Sequence, residues 1–576
     1  MRQPLSVTAA AVAALLAIAS GAPSTKPNLL MILQDDLGHW NVGFNSQRSA
    51  MPSADVAAVS PNLMALAKEG VILDRHYVHW HCSPTRRTFL TGRTPLHHGE
   101  QLSDPQTADH IDLRWSTIGH KLKAQGYETH WYGKGHTGYK SYNHLPKQLG
   151  FDSFIGFLGG AEAFTGYNRW RDNSPMCALQ TAAAAGAAPA SASSSPSSTA
   201  PAPPACTITK GVYFVGDATQ HLASASDAEC CAACQKDESC TAWTRDSSEP
   251  ATRNCLFKPQ STKSRPEAAA SSGTTFPPGP APPGCGTAGH APRLPTDAEY
   301  SALLYGDAAA ASVKAHDVSK PLFMYLPWQS THQPYTYAPG WNLTTADGRH
   351  KCDGMVRGAS NNGVGNGMAE PECILYGMVW KTDLAVGNIV KELKAKGMWA
   401  NTLIAYSADN GGVTDSVNFP LRGEKHTNWE GGVRGASFIS GGLVPANVRG
   451  TINSIVFSVS DWYATFAVLG GASPRDDPKV PPLPVDPANR LKDIYGNFSF
   501  PSVDGVNIWP MLTHPERFNV SSAHKYLWVS HEVLIAGDYK LLLAQPQAKA
   551  TTFNPTFQNI KVSVPARLVS CCEPCR

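Results

Sequence analysis

Cys82 heads the stretch His81-Cys82-Ser83-Pro84-Thr85-Arg86-Arg87-Thr88-Phe89-Leu90-Thr91-Gly92-Arg93. Pro84 suits the first position of a helix, because its missing N–H would be unpaired there anyway. That puts Cys82 at the helix N-terminus, where unpaired N–H groups and the dipole favour negative charge. A nucleophile that handles an anion gains from such a place. A buried or disulfide-bonded thiol is the alternative open to a cysteine in an oxidising compartment. A second candidate is Asp35-Asp36, which follows the apolar run Pro27–Leu33. Adjacent carboxylates at the end of a buried strand are costly unless something positive sits between them. A hard divalent cation, with its preference for oxygen ligands, answers that cost; a solvated turn or helix cap is the alternative. Asp409-Asn410-Gly411 likewise ends the apolar run Thr402–Ser407, although Asp-Asn-Gly by itself is a common turn.

The elements that must position these groups are readable as patterns. Pro27–Leu33, Lys320–Leu326 and Thr402–Ser407 are continuous apolar runs, expected of strands buried on both faces of a parallel sheet. Ligand sites in open α/β sheets lie outside the carboxyl ends of such strands. Helices are expected over Ser60–Gly70, near Ser116–Gln125, from Asp297 to about Ala315, and over Ile374–Lys396, each read from apolar spacing and terminal signals.

The Cys82 stretch resembles the maturation motif of the sulfatase family, Cys-x-Pro-Ser/Thr-Arg followed by Leu-x-Thr-Gly-Arg. Thr85 stands where most members have Ser, and the hydroxyl is kept. Asp35-Asp36-Leu37-Gly38 is similar to the family's first metal motif and Asp409-Asn410-Gly411 to its second. Gly133-Lys134-Gly135-His136-Thr137-Gly138 resembles the family's Gly-Lys-Trp-His-Leu-Gly, with Gly135 in place of Trp. That replacement removes an aromatic wall and is expected to loosen the backbone. His332-Gln333-Pro334 resembles the family's His-x-Pro. Pro420–Lys425 and Trp429–Gly435 are most similar to the arylsulfatase B-like branch. The resemblance covers about 27–176 and 293–545.

The resemblance implies a hydrolase of sulfate monoesters. A formylglycine-generating enzyme would oxidise Cys82 to formylglycine, whose hydrate is the nucleophile. Asp35, Asp36, Asp409 and Asn410 would hold calcium, with the modified Cys82 as a further ligand. Arg86 would orient the hydrate, and Lys134 and Lys425 would neutralise charge on the sulfuryl oxygens. His332 would protonate the leaving oxygen, and His136 would take a proton from the nucleophile to expel sulfate. The implied substrate is a sulfated small molecule or glycan, such as an N-acetylgalactosamine 4-sulfate unit. A phosphodiesterase or phosphonate hydrolase on the same fold is the rival enzyme. A catalytically silent carbohydrate-binding protein is the rival of another class. The implied fold is α/β: an alkaline-phosphatase-like sandwich with a large central mixed sheet flanked by helices, a smaller C-terminal sheet and an inserted disulfide-rich module.

Bulk properties agree with a secreted enzyme. The chain has 576 residues with 42% apolar content, enough for one large domain plus extras. Its net charge of +3 and lack of a basic run exclude the usual nucleic-acid footprint. Residues 1–22 read as a signal peptide: Arg2, then an apolar run over Val7–Ala19 that is too short to span a bilayer, then small residues. The secretory pathway, ending outside the cell or in a lysosome-like compartment, is therefore expected. There are 14 cysteines, which suits an oxidising compartment. Setting Cys82 aside leaves an odd number, so one is free or pairs beyond this sequence. Sequons occur at Asn342, Asn497 and Asn519.

The expected catalytic domain comes in two parts, 23–177 and 293–460, followed by a C-terminal subdomain over 461–576. Residues 178–205 are an Ala/Ser/Pro-rich linker and 276–292 a Pro-rich one. Between them, 206–275 holds Cys206, Cys230, Cys231, Cys234, Cys240 and Cys255, and resembles a PAN/apple module that would bind carbohydrate or protein. A zinc site is the alternative for its Cys-x2-Cys. Cys352 and Cys373 flank a Gly- and Asn-rich loop across which they could pair.

Overall fold

The computed structural model describes residues 23–99, 110–139, 141–161, 169–172, 174–176, 300–336, 338–341, 371–413, 416–475 and 501–543, with short strands between 207 and 274 and at 573–574. The expected signal peptide, both expected linkers, the cysteine side chains of the expected insert, the expected Cys352–Cys373 pairing and the sequons at Asn342 and Asn497 lie outside the described residues. Asn519 is exposed.

A ten-stranded mixed sheet organises the chain. Its order is Thr451–Asn453, Val71–Leu73, Ser437–Ser440, Thr402–Ala408, Asn28–Gln34, Leu322–Trp328, Glu128–Lys134, Ser153–Phe157, Arg169–Arg171 and Ser174–Met176. Asn28–Gln34 runs parallel to both its neighbours, and every residue of these three central strands is buried. Their unbroken apolar runs have this cause: both faces of the sheet are covered, so neither side of the pleat is polar. Leu30 and Ile32 face one core with Leu304, Val379 and Ile389 of the helices Ser301–Ala315 and Pro371–Ala395. Leu29, Met31 and Leu33 face the other, with Phe89, Ile118, Trp462 and Phe466. The helices of that second face include Cys82–Thr91, Ile118–Ala124 and Ser460–Leu469.

The expected helices form, with small shifts at their ends. The Pro61–Glu69 helix follows Ser60, but the Ser60 side chain makes no cap bond. Asp383 caps it instead, accepting from the Asn62 N–H at 3.1 Å and the Leu63 N–H at 2.8 Å. Burial holds the Asp383 carboxyl up at about 6.

A separate antiparallel sheet follows, in the order Leu527–Ser530, Val533–Ala536, Tyr539–Leu542 and Glu573–Pro574. Between 207 and 274 the strands form a five-stranded antiparallel sheet in the order Thr207–Phe214, Ser264–Thr274, Ala242–Asp246, Cys255–Lys258 and Gln220–Leu222. Among the described residues, no helix is long and apolar enough to cross a membrane.

The ion pairs His524–Asp461, Lys540–Glu430 and Arg75–Asp538 tie the C-terminal region to the main layers. His524 Nε2 lies 2.9 and 3.0 Å from the two Asp461 oxygens, which also accept from the Ser458 and Val506 N–H groups. Burial opposes the charge on His524, but the Asp461 carboxylate outweighs it and the pKa is raised. Because the folded value lies above the unfolded one, the pair's contribution is whole below about pH 6.5 and fades as pH rises through the folded value. His524→Gln is expected to cost about 1–2 kcal/mol at pH 5.5 and little at pH 9. Denaturant titrations at the two pH values check this; an equal loss at both would refute the charged pair.

Candidate active site

The carboxyl ends of the three central strands deliver the chemistry. Asn28–Gln34 ends at Asp35 and Asp36, Thr402–Ala408 at Asp409 and Asn410, and Leu322–Trp328 leads to His332. Glu128–Lys134 contributes its last residue, Lys134. Parallel register brings residues far apart in sequence to one edge, with Gln34 opposite both Ala408 and Trp328.

Cys82 begins the helix Cys82–Thr91, every residue of which is buried. Pro84 is its third residue rather than its first: the helix starts two residues earlier than expected, with His81 as the N-cap. The proline still suits its place, since the first four N–H groups of a helix have no intrahelical partner. Thr85 pins this end. Its hydroxyl donates to the Asp409 carbonyl at 2.6 Å and accepts from the His79 N–H at 2.9 Å. The hydroxyl that the motif keeps therefore joins the nucleophile helix to the second acidic motif, a link that the sequence pattern alone did not assign.

Cys82 Sγ lies 3.3 Å from Asp35 Oδ1, and Lys134 Nζ donates to Asp35 Oδ2 at 2.6 Å. Lys425 Nζ donates to Asp36 Oδ2 at 2.8 Å. Arg86 donates from Nε at 3.1 Å and from Nη2 at 2.7 Å to Asp409 Oδ2, with Nη2 also 3.7 Å from Asp35. The Asp36 N–H donates to Asp409 Oδ1 at 3.2 Å. Asn410 Nδ2 donates to Asp36 Oδ1 at 2.8 Å. Three buried carboxylates thus meet three cations. His332 Nε2 lies 3.7 Å from Asp36, and its Nδ1 donates to the Gln333 carbonyl at 2.5 Å.

The electrostatics are those of crowded acids. Burial, then the nearby Cys82, push Asp35 above the ordinary carboxylate range. Burial and Asp35 hold Asp409 up at about 6 despite Arg86. Burial opposes ionisation of Asp36, but Lys425 prevails and its pKa is lowered. Burial also resists the Cys82 thiolate, yet Lys134 and Lys425 pull the thiol down to about 5. His332 is disfavoured as a cation by burial but raised to about 9, chiefly by Asp35.

This donor set fits a hard cation. Asp35, Asp36, Cys82 and His332 each offer a ligand atom, all within 4.8 Å of one another. Asn410 Oδ1 is buried without a hydrogen-bond partner, although the amide nitrogen beside it makes two bonds. A buried acceptor left unmatched is costly, and a cation satisfies it. Extra positive charge would also relieve Asp35 and Asp409. His332 also lies within that distance, although it was expected as the acid and not as a ligand.

Lys134 is buried, and the expected loosening at Gly135 does not occur. The Gly135 and His136 N–H groups donate to Phe157 and Leu158 carbonyls at 2.6 and 2.9 Å. A Cβ at Gly135 would sit 2.8 Å from the Leu158 oxygen, so the backbone approach itself leaves no room for a side chain. His136 adopts φ +54° and its ring centroid lies 6.3 Å from that of His81. His426, next to Lys425, is exposed at the rim, with its centroid 5.7 Å from His81. Its pKa is lowered to about 4 by partial burial, then by Lys425 and His81, so the ring is neutral. Neither His81 nor His426 was singled out from the sequence. Their one signal there is adjacency to Cys82 and Lys425.

The sulfatase family profile matches residues 27–472, which include every one of these groups. The chain belongs to the sulfatase family. Sulfatases work with a metal ion and a formylglycine, and the cluster around Cys82 provides donors for such an ion. This sulfatase is similar to mouse arylsulfatase J, at 26% identity over 501 residues, covering 86% of this chain and 60% of that protein. It is also similar to mouse steryl-sulfatase, at 25% identity over 513 residues, covering 81% of this chain and 66% of that protein. The chain thus spans less than two thirds of the length of either relative. Its fold is shared with Ps i-CgsB, solved in complex with k-i-k-neocarrahexaose, at a TM-score of 0.51 and 20% identity over 93% of this chain and 90% of that one.

Proposed function

We propose that this sulfatase hydrolyses sulfate monoesters of aryl compounds or sugars, with sulfated polysaccharide as the natural class. The observation that carries the reading is the convergence of Cys82 with Lys134, Lys425 and Arg86 on three buried carboxylates. Asp35, Asp36, Asp409, Asn410 and the residue at Cys82 would hold calcium. Bound there, the ion supplies attraction for the sulfate oxygens and acidifies the aldehyde hydrate made from Cys82.

The side chains divide the remaining work. Arg86, immobilised on Asp409, orients the nucleophile. Lys134 and Lys425 offset charge on the sulfuryl oxygens in a water-poor site, where such contacts weigh most. A carbonyl only accepts, so the His332 Nδ1 that donates to Gln333 carries a proton and Nε2 faces the acids. With a pKa near 9, Nε2 also holds a proton at neutral pH and can give it to the leaving oxygen. His136 takes a proton from the nucleophile in the second half of the reaction.

The finer assignments are also proposals. The Pro420–Gly435 motifs support an arylsulfatase B-like branch. The antiparallel strands between 207 and 274 support a PAN/apple-like insert that tethers the enzyme to a carbohydrate or protein. Maturation by a formylglycine-generating enzyme implies the secretory pathway.

Turnover of 4-nitrophenyl sulfate and bis(4-nitrophenyl) phosphate by protein matured in a competent host tests the reading. Sulfate is expected to be the better substrate by at least about tenfold; the reverse preference would make this a phosphodiesterase. In a series of aryl sulfates, His332→Ala is expected to slow esters of poor leaving groups about a hundredfold and good ones little. A uniform loss would remove His332 as the acid.

A further inference from the structure

Among the described residues outside glycine, four adopt positive φ: Asp36, His136, Asp172 and His426. Asp36 and His136 belong to the site. His426 shares its edge, since Lys425 reaches Asp36, yet it has no part in the proposed chemistry. An imidazole at φ +68° is strained, and such strain persists where surroundings impose it, often at ligand-binding positions. The surroundings here are specific. The His426 N–H donates to the Trp80 carbonyl at 2.6 Å, which fastens the Lys425 loop to the segment just before Cys82. That bond sets the His426 ring 5.7 Å from the His81 ring, at 37° between planes. His81 is buried and covalently next to Cys82, whereas His426 is exposed. The pair therefore forms one wall running from the nucleophile out to solvent.

We propose that His81 and His426 form the subsite for the sugar ring of the sulfate ester, beside the pocket for its sulfate group. This rests on the hydrolase reading above. A sugar ring presents hydroxyls, each both donor and acceptor, and C–H faces. An imidazole matches both, with one ring nitrogen that donates, one that accepts and a flat face for packing. Lys134, Lys425 and Arg86 meet the charge of the sulfate, so the wall beside them has to recognise only the uncharged part. Lining by aromatic rings with a few placed polar atoms is the usual make-up of a small-ligand site.

The test is His426→Asn in the full-length, calcium-loaded enzyme. Asparagine tolerates positive φ, so the backbone is kept and the ring is lost. With N-acetylgalactosamine 4-sulfate, KM is expected to rise at least about tenfold with kcat within about threefold, as for lost uniform binding. His426→Gln, which carries the amide donor and acceptor one methylene further out, toward the position of the imidazole Nε2, is expected to recover part of it. An unchanged KM in His426→Asn would overturn the subsite. Calorimetric binding of the same sugar sulfate to Cys82→Ser, with and without His426→Asn, reads the subsite without turnover. A wild type that turns over no sulfate ester, alongside a tenfold affinity loss in this pair, would sink the hydrolase reading and keep the subsite. Equal affinities, or no binding to Cys82→Ser, would sink the subsite.

Discussion

Cys82→Ala lowers kcat/KM for 4-nitrophenyl sulfate by about ten-thousandfold or more, because alanine cannot be converted to the aldehyde whose hydrate attacks sulfur. No neighbour can stand in. Asp35, whose Oδ1 is 3.3 Å from the sulfur, is held by Lys134 through Oδ2 and is one of the acids that would hold calcium. The fold survives the change. Cys82 is a small residue at the first turn of a helix whose position is fixed by the Thr85 bonds to Asp409 and His79, and alanine keeps those. The substitution also withdraws a thiol that burial disfavours as an anion and that Lys134 and Lys425 hold ionised. A melting temperature within a few degrees of wild type is therefore expected. Mass spectrometry of the tryptic peptide His76–Arg86 supplies the companion measurement. Protein from a competent host should show Cys82 converted to the aldehyde. Residual activity in the alanine variant, or an unmodified thiol in fully active protein, would refute the proposed nucleophile.

Arg86→Ala destabilises the folded chain by about 3–5 kcal/mol and abolishes turnover with it. Removing one partner of a buried ion pair leaves the other charge unmet, and that uncompensated charge is the larger part of the loss. Arg86 makes two bonds to Asp409 and lies 3.7 Å from Asp35, and all three side chains are wholly buried. Arg86→Lys keeps the charge without the two-pronged geometry and should fall between. The deficit of Arg86→Ala should also shrink in acid. Burial and Asp35 already hold Asp409 at about 6, and the variant lacks the guanidinium that lowers it, so its carboxylate takes up a proton more readily. Below that range the stranded group is neutral and needs no counter-charge. Unfolding titrations at pH 5 and pH 8 check both points. A loss below about 1 kcal/mol at pH 8, or one that grows in acid, would mean that Arg86 is not the counter-charge of this cluster.

The difference between these two variants follows from where each residue is anchored. Cys82 is held by its helix, so its side chain is dispensable to the fold. Arg86 leaves the same helix but ends on an acid 323 positions away. A short motif reports both residues equally well, yet it carries no trace of that partner.

Local chemistry made the first half of this protein readable from its residues. A strand covered on both faces must be apolar throughout, so Pro27–Leu33, Lys320–Leu326 and Thr402–Ser407 announced the sheet centre and the acids at its edge. The Cys82 motif and the Asp-Asp and Asp-Asn pairs are short-range patterns, so their resemblance to the sulfatase motifs was visible in the sequence alone. Packing decided the rest. Asp383 caps a helix 321 positions away, Gly135 is pressed against Leu158 rather than left loose, and the His426 ring lies 5.7 Å from the His81 ring. Those neighbours depend on which strands lie side by side and how loops cross between them. Contacts of that kind are set by the burial of the whole sheet, and no stretch of sequence encodes them alone.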